Sequence, residues 1–233
     1  MCRVDQPATT PSAPKGEQTR ALILETALRL FQENGYDRTT MRAIAKDAGV
    51  SVGNAYYYFE SKEHLVQGFY DRMVALHREA VAPLLASEPK FAARLDGVMQ
   101  AWLEVSEPYH EFAAQFFKNA ADPASPLSPF SDESSPARDA GIGLMRSVLL
   151  GSTAKVDPEL REDLPELLWL YQMAVVLFWV HDKSEKAAKT GMLVRRSTPL
   201  IARLLQLSAT RVFRPLTREG VQLFRDIGWF TSK

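Results

Sequence analysis

The chain has 233 residues, enough for one large or two small domains, and its 46% hydrophobic and 24% charged residues are ordinary for a globular protein with a sizeable core. Basic and acidic residues balance at 28 each, so whole-chain charge gives no support to nucleic-acid binding, and that case has to be made locally. A single cysteine, Cys2, excludes a disulfide framework and a cysteine-rich metal site and fits a reducing, cytoplasmic setting.

Residues 1–17 carry Pro7, Pro11 and Pro14 among Thr and Ser and read as a disordered N-terminal arm. Residues 1–18 hold no apolar run and so do not read as a secretory signal. From Thr19 the pattern is helical: Leu22, Ile23, Ala27, Leu30 and Phe31 recur at helical spacing until Gly35 stops the run. A second helix is expected over 41–48, a turn at Gly49-Val50, and a short helix over 52–58. A fourth follows Ser61, which suits an N-cap, with Glu63 in the first turn to complement the helix dipole.

Composition shifts near residue 78. The remainder is rich in Leu, Phe, Trp and Met, with helices expected near 91–105, 109–120, 137–150, 159–181, 184–207 and 217–226. Four prolines and five serines between 122 and 136 mark a long loop. The apolar stretch 167–180, broken by Gln172, is shorter than the roughly 20 residues of a membrane span and reads as a buried helix. The expected class is all-α: a helix-turn-helix domain over 18–78, then a larger helical domain over 79–233.

Residues 40–59, TMRAIAKDAGVSVGNAYYYF, carry a helix-turn-helix pattern. Two helices joined by so short a turn cross closely. The crossing needs a small residue, supplied by Ala45, and the turn needs one that tolerates positive φ, supplied by Gly49. Ile44, Ala48, Val50, Ala55 and Tyr58 are placed on the inward face. The outward residues Val52, Gly53, Asn54, Tyr56 and Tyr57 are unlike a bland solvent face of Lys and Glu. Small residues let the helix approach a groove floor, asparagine can bond a base edge, and tyrosine hydroxyls can bond phosphates. Over 38–62 four basic residues, Arg38, Arg42, Lys46 and Lys62, stand against Asp47 and Glu60. That modest local excess predicts salt-sensitive binding with few phosphate contacts per subunit.

The stretch GYDRTTMRAIAKDAGVSVGNAYYYFESKEHL resembles the DNA-binding domain of the TetR (tetracycline-repressor-like) regulators over about residues 18–70. The agreement runs in order through Gly35-Tyr36, Thr39-Thr40, Ile44-Ala45, 48–51, Gly53, Tyr56, Tyr58-Phe59, Lys62-Glu63 and Leu65. The resemblance implies that Thr40 caps the first helix of the motif and touches phosphate, and that Arg42 reaches DNA from that helix. It implies that Val52, Gly53 and Asn54 face the bases, Tyr56 and Tyr57 contact backbone or base, and Lys62 binds phosphate. Ala55 and Tyr58 stand where the family often has leucine and histidine. Ala55 is expected to weaken local packing, and the recognised base sequence does not transfer.

A single recognition helix reads only a few base pairs, so a two-fold pair placing its helices roughly 34–36 Å apart on an operator duplex is expected. The candidates for the interface are the late helices near 158–181 and 184–207, which the resemblance implies form a four-helix dimer bundle. Asp182 to Glu185 reads as a capping box between them. The resemblance also implies a small-molecule effector that alters the spacing of the two DNA helices. Met99, Trp102, His110, Phe112, Phe116, Phe117, Trp169, Gln172 and Met173 are candidates to line its pocket, with Tyr109 and Gln115 as further polar groups. The same residues also suit a plain core. Few charges fall among them, which points to an apolar, uncharged or weakly polar ligand. The alternative is a regulator whose C-terminal half only dimerises or answers to a protein partner. An enzyme is not expected: the four histidines form no HExxH or paired metal spacing, and no nucleophile elbow or phosphate-binding glycine loop occurs. No cofactor and no metal are expected.

Overall fold

The computed structural model describes residues 14–226, apart from Pro123 and the side chain of Gln115. Most of the N-terminal arm therefore lies outside the described residues. Among those described there is no strand, and the chain divides into two compact units, 1–65 and 66–233.

The first unit holds α1 (Lys15–Asn34), α2 (Met41–Asp47), α3 (Val52–Tyr58) and the start of α4 (Lys62–Ser87). α1 begins at Lys15, four residues earlier than its apolar pattern announced, because Pro14 at the N-cap fixes φ at −51° and leads into the helix. It buries Ile23, Leu24, Ala27, Leu30 and Phe31 and packs on α2. Gly35 ends it at φ +83°. Thr39, buried, donates its hydroxyl hydrogen towards the carbonyls of Leu30 and Gly35, which secures the link to α2. The N-caps are local and legible: Thr40 Oγ1 accepts from the Ala43 N–H, Ser51 Oγ from Asn54 and Ser61 Oγ from His64.

In the second unit the chain continues along α4 into α5 (Phe91–Ser106), a 3₁₀ turn (Glu107–Tyr109), α6 (His110–Ala120), α7 (Ser135–Leu150), α8 (Pro158–His181), a second 3₁₀ turn (Glu185–Ala187), α9 (Ala188–Ser208) and α10 (Arg214–Asp226). The compositional change at 78 falls inside α4. α8 packs against α6, α7, α9 and α10, and α5 against α7 and α9. The core draws on Val81, Leu95, Val98, Met99, Met145, Val148, Leu164, Leu168, Val175 and Val194. By length and composition α8 is apolar enough to cross a membrane, but half of its most apolar window is buried, with Leu164, Leu168, Val175 and Trp179 inside the fold.

Arg94 lies almost wholly inside this unit. Its guanidinium donates to the carbonyls of Leu85 and Glu88, at the end of α4, and of Ser147 and Val148, at the end of α7. One cation thus answers the open carbonyls of two helix C-termini. From 124 to 134 the chain is the expected loop, built of successive turns and tied down by hydrogen bonds. Gln67 donates to Pro126 and Ser134, Tyr70 to the Leu127 carbonyl and Arg138 to Pro129 and Ser131.

The turn after α8 is not the capping box its sequence suggested. Asp182 is buried and reaches forward to Thr190, accepting from its N–H at 2.8 Å and its hydroxyl at 2.7 Å, while its other oxygen accepts from Ser184. Lys186 and Ala187 turn left-handed, φ +49° and +52°, which delays α9 to Ala188 and takes Glu185 away from a reciprocal cap.

Candidate nucleic-acid interface

α2 and α3 pack on one another, and Ala45 on the first and Ala55 on the second expose no surface. Ala55, where the family often has leucine, is fully buried on α3, and α3 packs on α2. Gly49 turns the chain between them at φ +68°. Phe59 is buried beneath the guanidinium of Arg20, 4.9 Å from its ring centre, whereas Tyr58 is only half-buried, its ring edge-on to Tyr57 at 5.2 Å.

With its buried side held this way, α3 turns Val52, Gly53, Tyr56 and Tyr57 to solvent, Tyr57 to the extent of 81%, and leaves Asn54 half-exposed near the helix N-terminus. Thr40 is exposed beside them at the start of α2. Arg42 is exposed on the same helix and makes no ion pair among the described residues. The structure therefore brings Thr40 and Arg42 of α2 into the same unit as a free apolar-and-phenolic face of α3.

Lys62 is placed differently. Its ammonium donates to the Tyr36 carbonyl at 2.8 Å and lies 4.3 Å from the centre of the Tyr36 ring. The Tyr36 hydroxyl in turn donates to Glu63 at 2.9 Å. Burial, and then the bond to Glu63, push the Tyr36 pKa up. Burial works to raise that of Glu63, but hydrogen bonds from Ser61, its own backbone and Tyr36, with the Lys62 charge, hold it below the usual carboxylate range. Sequence reasoning missed this arrangement, as it missed the pairing of Arg29 with Glu33 and Asp47, which ties α1 to the end of α2.

The effector candidates fall into three groups in the second unit. Met99 and Trp169 belong to the main core, with Met173 packed against it. Phe112 and Phe116 stack at 5.3 Å, and Phe69 meets Phe112 edge-on. Trp102, His110 and Phe117 gather near the end of α8: Trp102 lies edge-on to Trp179 at 5.1 Å, and His110 Nε2 bonds the Trp179 carbonyl at 2.7 Å. Gln172 is buried and makes no hydrogen bond among the described residues. A shallow, open depression of about 440 Å³ is lined by Tyr109, one of the polar candidates, together with Leu76, Glu79 and Glu104 among others.

Residues 23–68 match the profile of bacterial regulatory proteins of the tetR family, and residues 94–223, more than half of the chain, match the tetracyclin repressor-like C-terminal domain. The chain belongs to the TetR family. This is a family of regulators, not enzymes, whose members bind DNA operators and act as dimers. The chain is 35% identical over 112 residues to the transcriptional repressor KstR2 of Rhodococcus jostii, covering 46% of this chain and 52% of that protein. It is 41% identical over 63 residues to the regulator TtgR of Pseudomonas putida, covering 27% and 30%. The chain thus spans about half the length, or less, of the curated relatives it matches. Among solved structures, a TetR-family regulator from Syntrophomonas wolfei superposes with a TM-score of 0.63 at 18% identity, covering 81% of this chain and 96% of that one. The repressor FadR of Thermus thermophilus, solved with lauroyl-CoA, superposes with a TM-score of 0.56 at 24% identity, covering 77% and 92%. These likenesses establish the fold: a helix-turn-helix unit followed by a larger helical one.

Proposed function

We propose that this chain is a DNA-binding transcriptional regulator, a repressor that works as a homodimer and leaves its operator when a small molecule binds the C-terminal half. The observation that carries the reading is the free face of α3, where Val52, Gly53, Asn54, Tyr56 and Tyr57 are held outward by the packing of α3 on α2, with Ala45 and Ala55 fully buried. Asn54 is the base-reading group, Val52 and Gly53 allow close approach, and Tyr56, Tyr57, Thr40 and Arg42 meet the phosphates or flanking bases. Lys62 adds positive potential there while it fixes the first turn of α4 to the segment after α1. The DNA-binding domain takes in residues 18–78, and the effector and dimer functions belong to 79–233, in the cytoplasm.

Dimerisation is assigned to α8 and α9. Leu177 and Phe178 of α8 and Leu193, Leu200, Leu204 and Leu207 of α9 are exposed in the single chain. On α9 they recur at spacings of seven, four and three, the seam of paired helices. For the effector, the aromatic surroundings of Trp102, Phe117 and Trp179 favour an apolar ligand. Gln172 and the buried, unpartnered Ser106 hydroxyl supply polar groups to orient it.

Mapping bound sites on genomic DNA, followed by mobility shifts with Tyr56→Ala, tests the reading head. Loss of operator binding by a folded dimer supports it, and unchanged binding removes it. Thermal shift against a compound library tests the effector: stabilisation by charged hydrophilic compounds alone contradicts an apolar ligand.

A further inference from the structure

α10 is an amphipathic helix turned inside out. Arg214, Arg218, Val221 and Arg225, at i, i+4, i+7 and i+11, share one face, and that face meets α8. Val221 is buried in the core. Arg214 pairs with Asp157 at 2.9 Å, Arg218 with Glu159 at 2.9 Å and Arg225 with Asp163 at 2.6 Å. Asp157 is itself buried and caps α8 through the Glu159 N–H, so this ladder seats α10 on the first turns of α8.

At about 100° per residue the opposite face carries Leu216 and Leu223. They are 65% and 61% exposed, with Phe213 exposed nearby. A helix that served only to close its own subunit would turn leucines inward and leave arginines to water. Here the charges are used inside the subunit and the leucines are left outside it.

The surface that suits them is a second copy of this chain. The exposed seam of α9 ends with Leu204 and Leu207, only a few residues before α10, and the link between the helices adds exposed Val212 and Phe213. In chain order, then, apolar exposure runs on from the α9 seam into the outer face of α10. A two-fold interface repeats whatever one subunit contributes, so a leucine face on α10 is presented twice. We infer that α10 enters the subunit interface, packing Leu216 and Leu223 against the second copy and widening the four-helix bundle to six helices.

The inference rests on the α8–α9 bundle proposed above, and the test separates the two. The full chain is compared by sedimentation velocity over a dilution series as wild type, as Leu216→Glu/Leu223→Glu, as the uncharged Leu216→Asn/Leu223→Asn, and as Leu200→Glu/Leu204→Glu. Circular dichroism reports the helix content of each. The expected result is at least a tenfold rise in the dimer dissociation constant for both α10 variants with helix content retained, and a comparable or larger rise for the α9 variant. If the Leu216→Asn/Leu223→Asn variant dimerises as tightly as wild type while the α9 variant is monomeric, α10 lies outside the interface and the bundle stands. If no variant shifts the equilibrium, the bundle falls and this inference with it. Conversion of a wild-type tetramer to a dimer by the α10 variants also overturns it, since the face would then join dimers.

Discussion

Lys62 rests on Tyr36, ammonium against ring and backbone carbonyl, although 26 positions separate them. Through this contact, and through the bond from the Tyr36 hydroxyl to Glu63, the first turn of α4 is fastened to the segment that ends α1. Such a residue serves stability as well as charge. Lys62→Ala is expected to destabilise the protein by about 1–2 kcal/mol, from the lost hydrogen bond and cation–π contact, and to weaken operator binding as well. Tyr36→Phe, which keeps ring and carbonyl, is expected to cost about 1 kcal/mol. Urea unfolding measures both.

Where α2 packs on α3, a larger buried side chain is expected to be costly. Ala55→Leu places extra methylenes where Ala45 and Ala55 are fully buried, and is expected to cost about 1–3 kcal/mol and to reduce DNA affinity by shifting α3. Gly49→Ala forces a side chain to φ +68° and is expected to cost on the order of 1–2 kcal/mol. Thermal unfolding read beside a mobility shift gives both effects. A leucine at 55 without consequence would mean that the buried site has room for it.

Asp182 makes the turn between α8 and α9 sensitive to acid. Burial works to raise its pKa, but hydrogen bonds from Ser184 and Thr190 prevail and hold the carboxyl far below the ordinary value. Folding therefore favours the ionised form, and its contribution is complete above the usual aspartate pKa of about 3.9 and drains away as pH falls from there towards the folded value. Asp182→Asn is expected to lose about 2 kcal/mol at pH 7. The gap to wild type should narrow below about pH 4, as followed by urea midpoints across pH. A constant gap would show that charge is not what the turn uses.

Much of the first unit was legible because its signals are local. Thr40, Ser51 and Ser61 cap within three residues of themselves, Gly49 answers a backbone angle, and Ala45 is buried on α2. Outward display of Tyr56 and Tyr57 follows from the same periodicity. What escaped depends on partners far away in sequence. Arg94 reads as a surface arginine until α7, more than fifty positions on, supplies two of its carbonyls. Asp182 reads as a cap until Thr190 comes round to meet it. The outer leucines of α10 are unremarkable until its arginines are found pointing inward. For the effector candidates the sequence gives residue types, and only packing sorts Met99 into the core and Trp102 and Phe117 around Trp179.

On the proposed function, the outer face of α3 reads DNA. Fluorescence anisotropy on a genomically mapped operator, with wild type and Asn54→Ala/Tyr56→Ala/Tyr57→Ala at several salt concentrations, tests it directly. These side chains are outside the core, so unfolding midpoints should match. Wild type is expected to bind as a dimer with affinity that falls steeply with salt, and the variant to keep only the weak affinity shown for unrelated DNA. A folded variant that binds the operator as tightly as wild type would contradict the account.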